Sequence, residues 1–213
     1  MKYKLESRLI AVGDTAIKLF VPGEGSVKQV YHAQRETNPV TPFPYWAKVW
    51  PAALALSTFL QKEPHYILGK NVLELAAGLG LPSLLAARYA STVCCSDYLP
   101  ETLDVVRQSI ALNGAANIST RLLDWHRLPG DLAPEVLLLS DINYDPREFE
   151  VLYEVLTGFF KSNTLILLST PQRLIAKPFI ERLLPWCIQQ EELSVTYTGE
   201  VTPVTVLVLR KSV

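Results

Sequence analysis

From residue 71 onward the chain alternates short apolar runs with stretches whose apolar residues recur every three or four positions. Runs of strand length stand at Asn71 to Leu75, Thr92 to Ser96, Ser119 to Leu123, Val136 to Asp141 and Thr164 to Ser169. Helical patterns fall between and after them, at Leu81 to Tyr89, Pro100 to Leu112, Pro146 to Phe160 and Leu174 to Leu184. Such alternation predicts parallel strands covered by helices. Two final strands, Glu192 to Tyr197 and Val204 to Arg210, are joined by a segment too short for a crossover helix, so they form an antiparallel hairpin. The predicted fold is α/β: a Rossmann-like, doubly wound, seven-stranded mixed sheet whose last strand is antiparallel.

The first 48 residues read differently. Short alternating stretches at Lys4 to Ile10 and Ala16 to Val21, split by Gly13-Asp14 and closed by Pro22-Gly23, predict a β-hairpin. Thr37 to Tyr45 contains Pro39, Pro42 and Pro44, which excludes helix and central strand and leaves an extended loop. The helical pattern resumes at Val49 to Leu60, with Pro51 tolerated in the first turn. A chain of 213 residues with 49% hydrophobic residues can build one core. We therefore expect a single domain over 1–213, with 1–48 as an extension and candidate lid and 49–213 as the core.

Composition mainly removes options. Twenty basic against 21 acidic residues, net charge -1, give no pull toward nucleic acid or an anionic membrane. Glu6, Arg8 and Asp14 interrupt the N-terminal apolar positions before a signal peptide or spanning helix develops, which predicts a cytosolic protein. Cys94, Cys95 and Cys187 form neither a disulfide framework nor a C-x-x-C pattern, so they are expected as reduced thiols. His32, His65 and His126 lack a second ligand at helical spacing, and no serine sits in a G-x-S-x-G elbow. Neither a metal nor a nucleophile site is expected.

The chemistry concentrates at strand ends. Val72 to Leu75 runs into Ala76-Ala77-Gly78-Leu79-Gly80 and then a helix, the place where doubly wound sheets bind ligands. Two glycines alone are equally compatible with a tight turn. Asp97 ends the next strand, 17 residues after Gly80, where a carboxylate accepts ribose hydroxyls. Asp124 ends the third strand beside Trp125, pairing an acceptor for an amino group with a stacking plane. Each acid taken singly is as well explained as a helix cap; three such features on successive strand ends describe a nucleoside site. A dinucleotide loop would carry a third glycine where Ser83 stands, and Glu74 before the loop would repel a pyrophosphate but favour an ammonium and a sulfonium. The expected cofactor is S-adenosylmethionine.

These residues resemble those of a known family. Glu74 to Leu81 is similar to motif I of class I methyltransferases, E-L-G-x-G-x-G, with Ala76 in place of the first glycine. Trp46 to Ala53, Leu123-Asp124-Trp125 and Asp141-Ile142-Asn143-Tyr144 resemble the V-W-x-x-A, L-D-W and D-x-x-Y motifs of methyltransferase family 16, the protein-lysine methyltransferase branch. The resemblance runs from about Tyr45 to the C-terminus, and residues 1–44 carry none of it. It implies that Ala76, Gly78 and Gly80 line the methionine part of the cofactor, that Glu74 faces its amino group, and that Asp97 with the adjoining Tyr98 faces the ribose. Asp124 and Trp125 are then placed at the adenine, Trp50 over the cofactor, and Asp141 with Tyr144 at the acceptor amine, with Asp141 also bordering the cofactor. The implied partner is a protein substrate.

Two other functions stay open. One is a methyltransferase acting on a small-molecule amine or a nucleic-acid base, against which stand the missing basic cluster and D-I-N-Y where N-P-P-Y is needed. The other is an inactive cofactor-binding interaction protein, a reading favoured by Ala76. Packing alone explains Trp46 and Trp50 as well, and a helix start beside Asp145-Pro146 explains Tyr144.

Overall fold

A computed structural model describes residues 2–211. The N-terminal hairpin is present as β1 (Leu5–Val12) and β2 (Thr15–Pro22), antiparallel from Leu5↔Pro22 to Val12↔Thr15. Gly13 takes a left-handed φ of 54° in the turn, which glycine adopts at no steric cost. A helix that the hydrophobic pattern did not signal follows, α1 (Glu24–Thr37). Only Val27 of its fourteen residues is buried, so it lacks the apolar stripe on which such a prediction depends. Glu24 and Lys28 pair across one turn of it.

The main body follows the predicted alternation. Its elements are α2 (Pro51–Lys62), β3 (Asn71–Glu74), α3 (Leu81–Ala86), β4 (Thr92–Asp97), α4 (Pro100–Asn113), β5 (Ile118–Leu122), β6 (Val136–Ser140), α5 (Phe149–Lys161), β7 (Leu165–Pro171), α6 (Lys177–Leu183), β8 (Cys187–Tyr197) and β9 (Glu200–Leu209). One seven-stranded sheet runs β5-β4-β3-β6-β7-β9-β8. β3 to β7 pair in parallel, while β9 is antiparallel to both neighbours. Every residue of β7 and all but the last of β6 are buried, as a strand covered on both faces requires.

β8 begins five residues before the predicted start, in Cys187 to Glu191. As an edge strand it alternates half-buried and exposed positions, so its polar residues conceal it. β9 starts at Glu200 and contains Pro203, which a central strand does not tolerate. β7 stops pairing at Val204, however, so Pro203 has a strand partner on one side only.

α2 and α3 cover one face of the sheet and α5 the other, with Phe149, Leu152, Leu156, Phe159 and Phe160 of α5 buried at helical spacing. The hairpin is not an appendage: Ile10, Val12, Ile17 and Leu19 share one buried cluster with Leu56, Phe59, Leu60 and Leu84. Among the described residues no helix is long and apolar enough to cross a membrane.

Candidate active site

From β3 the chain moves outward through β4 and β5, then returns to place β6 on the other flank of β3. Ligands of open α/β sheets bind at such a reversal, beyond the carboxyl ends of the strands. A cavity of about 750 Å³ lies there, a size suited to a nucleoside-sized ligand. Its wall is formed by the loops leaving β3, β4, β5 and β6, by Arg173 just past β7, and by Thr41 to Trp50 from the N-terminal side.

The loop after β3 makes three left-handed turns, at Ala76, Gly78 and Gly80 with φ of 52°, 53° and 71°. Gly80 is needed for space as well as conformation, because a Cβ there would stand 3.1 Å from Cys95 Sγ. Gly78 has room for one and is needed for its φ. Ala76 has the same positive φ with a Cβ and bears the associated strain.

Asp97 lies at the tip of β4, 4% exposed. Its two oxygens accept from the amides of Gly78 (3.0 Å) and Leu99 (3.1 Å), which tie the β3 and β4 tips together. Burial pushes this carboxyl up to about 6 despite those bonds. Each oxygen keeps a lone pair for a hydroxyl on the cavity side.

Glu74 differs from expectation. It is fully buried and absent from the cavity wall, standing behind the β3 loop rather than facing a ligand. Its Oε2 accepts from Ser83 N (2.9 Å) and Ser83 Oγ (2.5 Å), which anchors the first turn of α3 to β3. Among the described residues Oε1 has no hydrogen-bond partner, and burial pushes the carboxyl up to about 8. A carboxyl so perturbed is largely neutral near pH 7, so direct repulsion by Glu74 cannot be what disfavours a pyrophosphate.

On the far side Asp124 is exposed and accepts from His126 N at 3.0 Å. The neighbouring Trp125 indole donates to Glu148 Oε2 (3.1 Å), which also pairs with His126 Nε2 (3.0 Å). Trp50 closes the N-terminal side, its indole donating to Tyr45 O at 2.8 Å and its ring 4.1 Å beneath the Lys48 ammonium. Trp46 is 7% exposed and packs edge-on against Tyr3, a packing role with one edge on the cavity.

β6 delivers the last group. Asp141 has a φ of 54°, tolerated by a short polar residue, and its amide donates to Ser169 O at 2.9 Å. Both carboxylate oxygens are held by the Arg173 guanidinium, the second contact at 3.0 Å. Tyr144 is half-exposed, its ring 5.8 Å from that of Tyr45. Burial first, and then Tyr98 and the acids Asp145 and Asp141, raise its phenol, so it remains a donor.

One cavity thus gathers Trp50, Ala76, Gly78, Gly80, Asp97, Tyr98, Asp124, Trp125, Asp141 and Tyr144, with Glu74 alone left out. Sequence reasoning missed Arg173, Tyr45, Lys48 and Glu148. Arg173 was within reach of the same rule that found the acids, since it follows a parallel strand at the carboxyl edge.

The model of a family described as lysine methyltransferase matches residues 45–185, about two thirds of the chain. The chain belongs to the lysine methyltransferase family. The N-terminal hairpin and α1 of this methyltransferase lie outside the match. It is 34% identical to human "Histone-arginine methyltransferase METTL23" over 64% of this chain and 75% of that one. It is 31% identical to "EEF1A lysine methyltransferase 3" of Mus musculus over 65% of this chain and 62% of that one. The mouse, rat and Xenopus forms of METTL23 are spanned over only about half their length, 49%, 55% and 48%. In fold it is similar to the N-methyltransferase NodS from Bradyrhizobium japonicum in complex with S-adenosyl-L-homocysteine, with TM-score 0.61, 11% identity, and coverage of 85% of this chain and 98% of that one.

The methyltransferase takes S-adenosylmethionine as its methyl donor, and the donor set fits that group. The lining carboxylates outnumber the lining cations, which favours a ligand bearing an ammonium and a sulfonium. Asp97 offers a buried acceptor for a diol, and Trp125 offers a tethered aromatic plane.

Proposed function

We propose that the methyltransferase modifies the side-chain amine of a lysine in a protein substrate. The observation that carries this reading is the convergence of Asp97, Asp124, Asp141 and Tyr144, from the tips of β4, β5 and β6, on one cavity whose mouth carries the exposed rings of Phe43, Tyr45 and Tyr144. Relatives named as lysine and arginine methyltransferases support a protein acceptor.

When bound, the cofactor supplies a methyl group on a positively charged sulfur. The chain's own residues position and dehydrate. Asp97 and Tyr98 would hold the ribose end, Asp124 and Trp125 the adenine, the Ala76 to Gly80 turn the methionine end, and Trp50 would cover the site. A lysine amine must be neutral to attack, and removing its proton at pH 7 costs roughly 4 to 5 kcal/mol from a pKa near 10.4. Tyr144 would hydrogen-bond that amine. The proposed location is the cytosol, consistent with the free thiols of Cys94, Cys95 and Cys187.

A second reading, an arginine acceptor, is favoured by two observations. One is the name of the METTL23 relative; the other is that Asp141 already clasps a guanidinium with both oxygens. Labelling a cell extract with tritiated S-adenosylmethionine, in parallel with Asp97→Ala, tests both readings. A labelled protein band that requires Asp97 and yields methyllysine on hydrolysis is expected. Methylarginine instead would select the second reading, and label confined to small molecules or nucleic acid would refute both.

A further inference from the structure

The family resemblance puts Asp141 beside the acceptor amine, yet a free carboxylate there works against the chemistry. It stabilises the ammonium, the form that cannot attack. The structure removes this conflict through Arg173. The Asp141 side chain is 8% exposed and both its oxygens are taken by one guanidinium, whose side chain is 34% exposed. Backbone geometry fixes the carboxylate, since Asp141 is left-handed and its amide is bonded to Ser169 O on the adjoining β7. Arg173 stands two residues beyond β7, the next strand of the sheet, so the pair bridges two strand tips at the cavity.

We infer that Arg173 is a positioning residue for methyl transfer, cancelling the charge of Asp141 so that an acceptor amine beside it gives up its proton to solvent. This rests on the lysine reading above. Of the other charged groups around the cavity, Asp145 is paired with Arg147, Glu148 with His126 and Glu101 with Lys2, while Lys48 lies over Trp50. Asp97 and Asp124 accept backbone amides at the β4 and β5 tips. Among the described residues Arg173 is the cation that meets Asp141. The same pairing explains why an acid at the acceptor position does not hold every incoming amine as an ammonium.

The test uses Arg173→Gln, which keeps hydrogen-bonding capacity and loses the charge, and Arg173→Lys, which keeps the charge. Methylation of lysine-centred peptides from an array is followed against pH with tritiated S-adenosylmethionine, and cofactor affinity is measured alongside. The acid limb of kcat/KM is expected to move up by about one pH unit in Arg173→Gln, a roughly tenfold loss below the limb. It should return toward wild type in Arg173→Lys, with all three proteins compared at saturating cofactor so that any change in cofactor affinity does not enter the profile. Superimposable profiles, or equal losses in the Lys and Gln variants, would overturn the inference. A second readout needs no turnover: n-butylammonium, followed by tryptophan fluorescence at pH 7, should bind Arg173→Gln about tenfold more tightly than wild type. Equal binding refutes the role of Arg173, whereas wild-type protein inert toward every lysine peptide refutes the lysine reading and leaves the amine titration to decide this one.

Discussion

Ala76 and Gly78 have almost the same left-handed φ, 52° and 53°, but only one of them is a glycine. A left-handed non-glycine residue costs about 1–2 kcal/mol, so the β3 loop stores strain where the family motif has none. Replacing Ala76 by Gly releases that strain and also makes the unfolded chain more flexible, which takes back about 0.5–1 kcal/mol. The Ala76 methyl is only partly buried, against the cluster containing Leu75 and Leu137, so little packing is lost. Ala76→Gly should therefore be stabilising by about 0.5–1 kcal/mol, a rise in Tm of about 1–4 °C for a domain of this size. Differential scanning calorimetry checks this, and a lower Tm would mean that the methyl contacts outweigh the strain. Strain of this size is also too small to argue for an inactive site, because it is a modest part of a typical folding free energy.

At the scale of elements, the strand tips were legible because a buried parallel strand is an uninterrupted apolar run, and the residue that ends it is conspicuous. Asp97 and Asp141 stand out in this way after Thr92 to Ser96 and Val136 to Ser140, whereas Asp124 follows the polar, half-exposed edge strand β5 and is marked instead by its neighbour Trp125. What stayed hidden lacks such a contrast. α1 keeps one buried residue, the first half of β8 is a polar edge, and the direction in which Glu74 points is not written in its spacing from Gly78. The pairing of Asp141 with Arg173 joins residues 32 apart across two strand tips, a contact that only the order of strands creates. The N-terminal hairpin poses the reverse case: it was legible as an element but was set apart as an extension, whereas its side chains enter the main cluster. We propose that it belongs to the same cooperative unit. Leu19 is fully buried in β2, and large-to-small changes at such positions cost about 2–5 kcal/mol. Leu19→Ala should lower the Tm of the whole protein by about 4–20 °C in one transition. A separate early transition, with the main one unmoved, would show that the hairpin folds apart from the core.

For the molecule as a whole, the two buried acids of the sheet edge make stability depend on pH in an unusual direction. Asp97 is raised from 3.8 to about 6 and Glu74 from 4.5 to about 8, in both cases chiefly by burial. In each, the folded state holds its proton at a pH where the unfolded chain has released it. Their contribution to stability is therefore complete below about pH 4 and is lost as pH rises, through about 6 for Asp97 and about 8 for Glu74. While pH lies between a group's unfolded and folded values, each unit costs roughly 1.4 kcal/mol per group. The protein without cofactor should thus lose Tm steadily from pH 5.5 to 8, rather than show the flat optimum common near neutrality. Glu74→Gln separates the two acids. Its amide oxygen can keep the bonds from Ser83 N and Oγ, and it has no charge to bury. The decline should then level off above about pH 6.5, leaving the variant more stable than wild type at pH 8, while cofactor affinity changes by less than about threefold because Glu74 is not on the cavity wall. Thermal melts across this range decide the matter. A variant that follows the wild-type curve would mean that Glu74 is ionised throughout, and a large loss of cofactor affinity would return it to the direct role that its spacing first suggested.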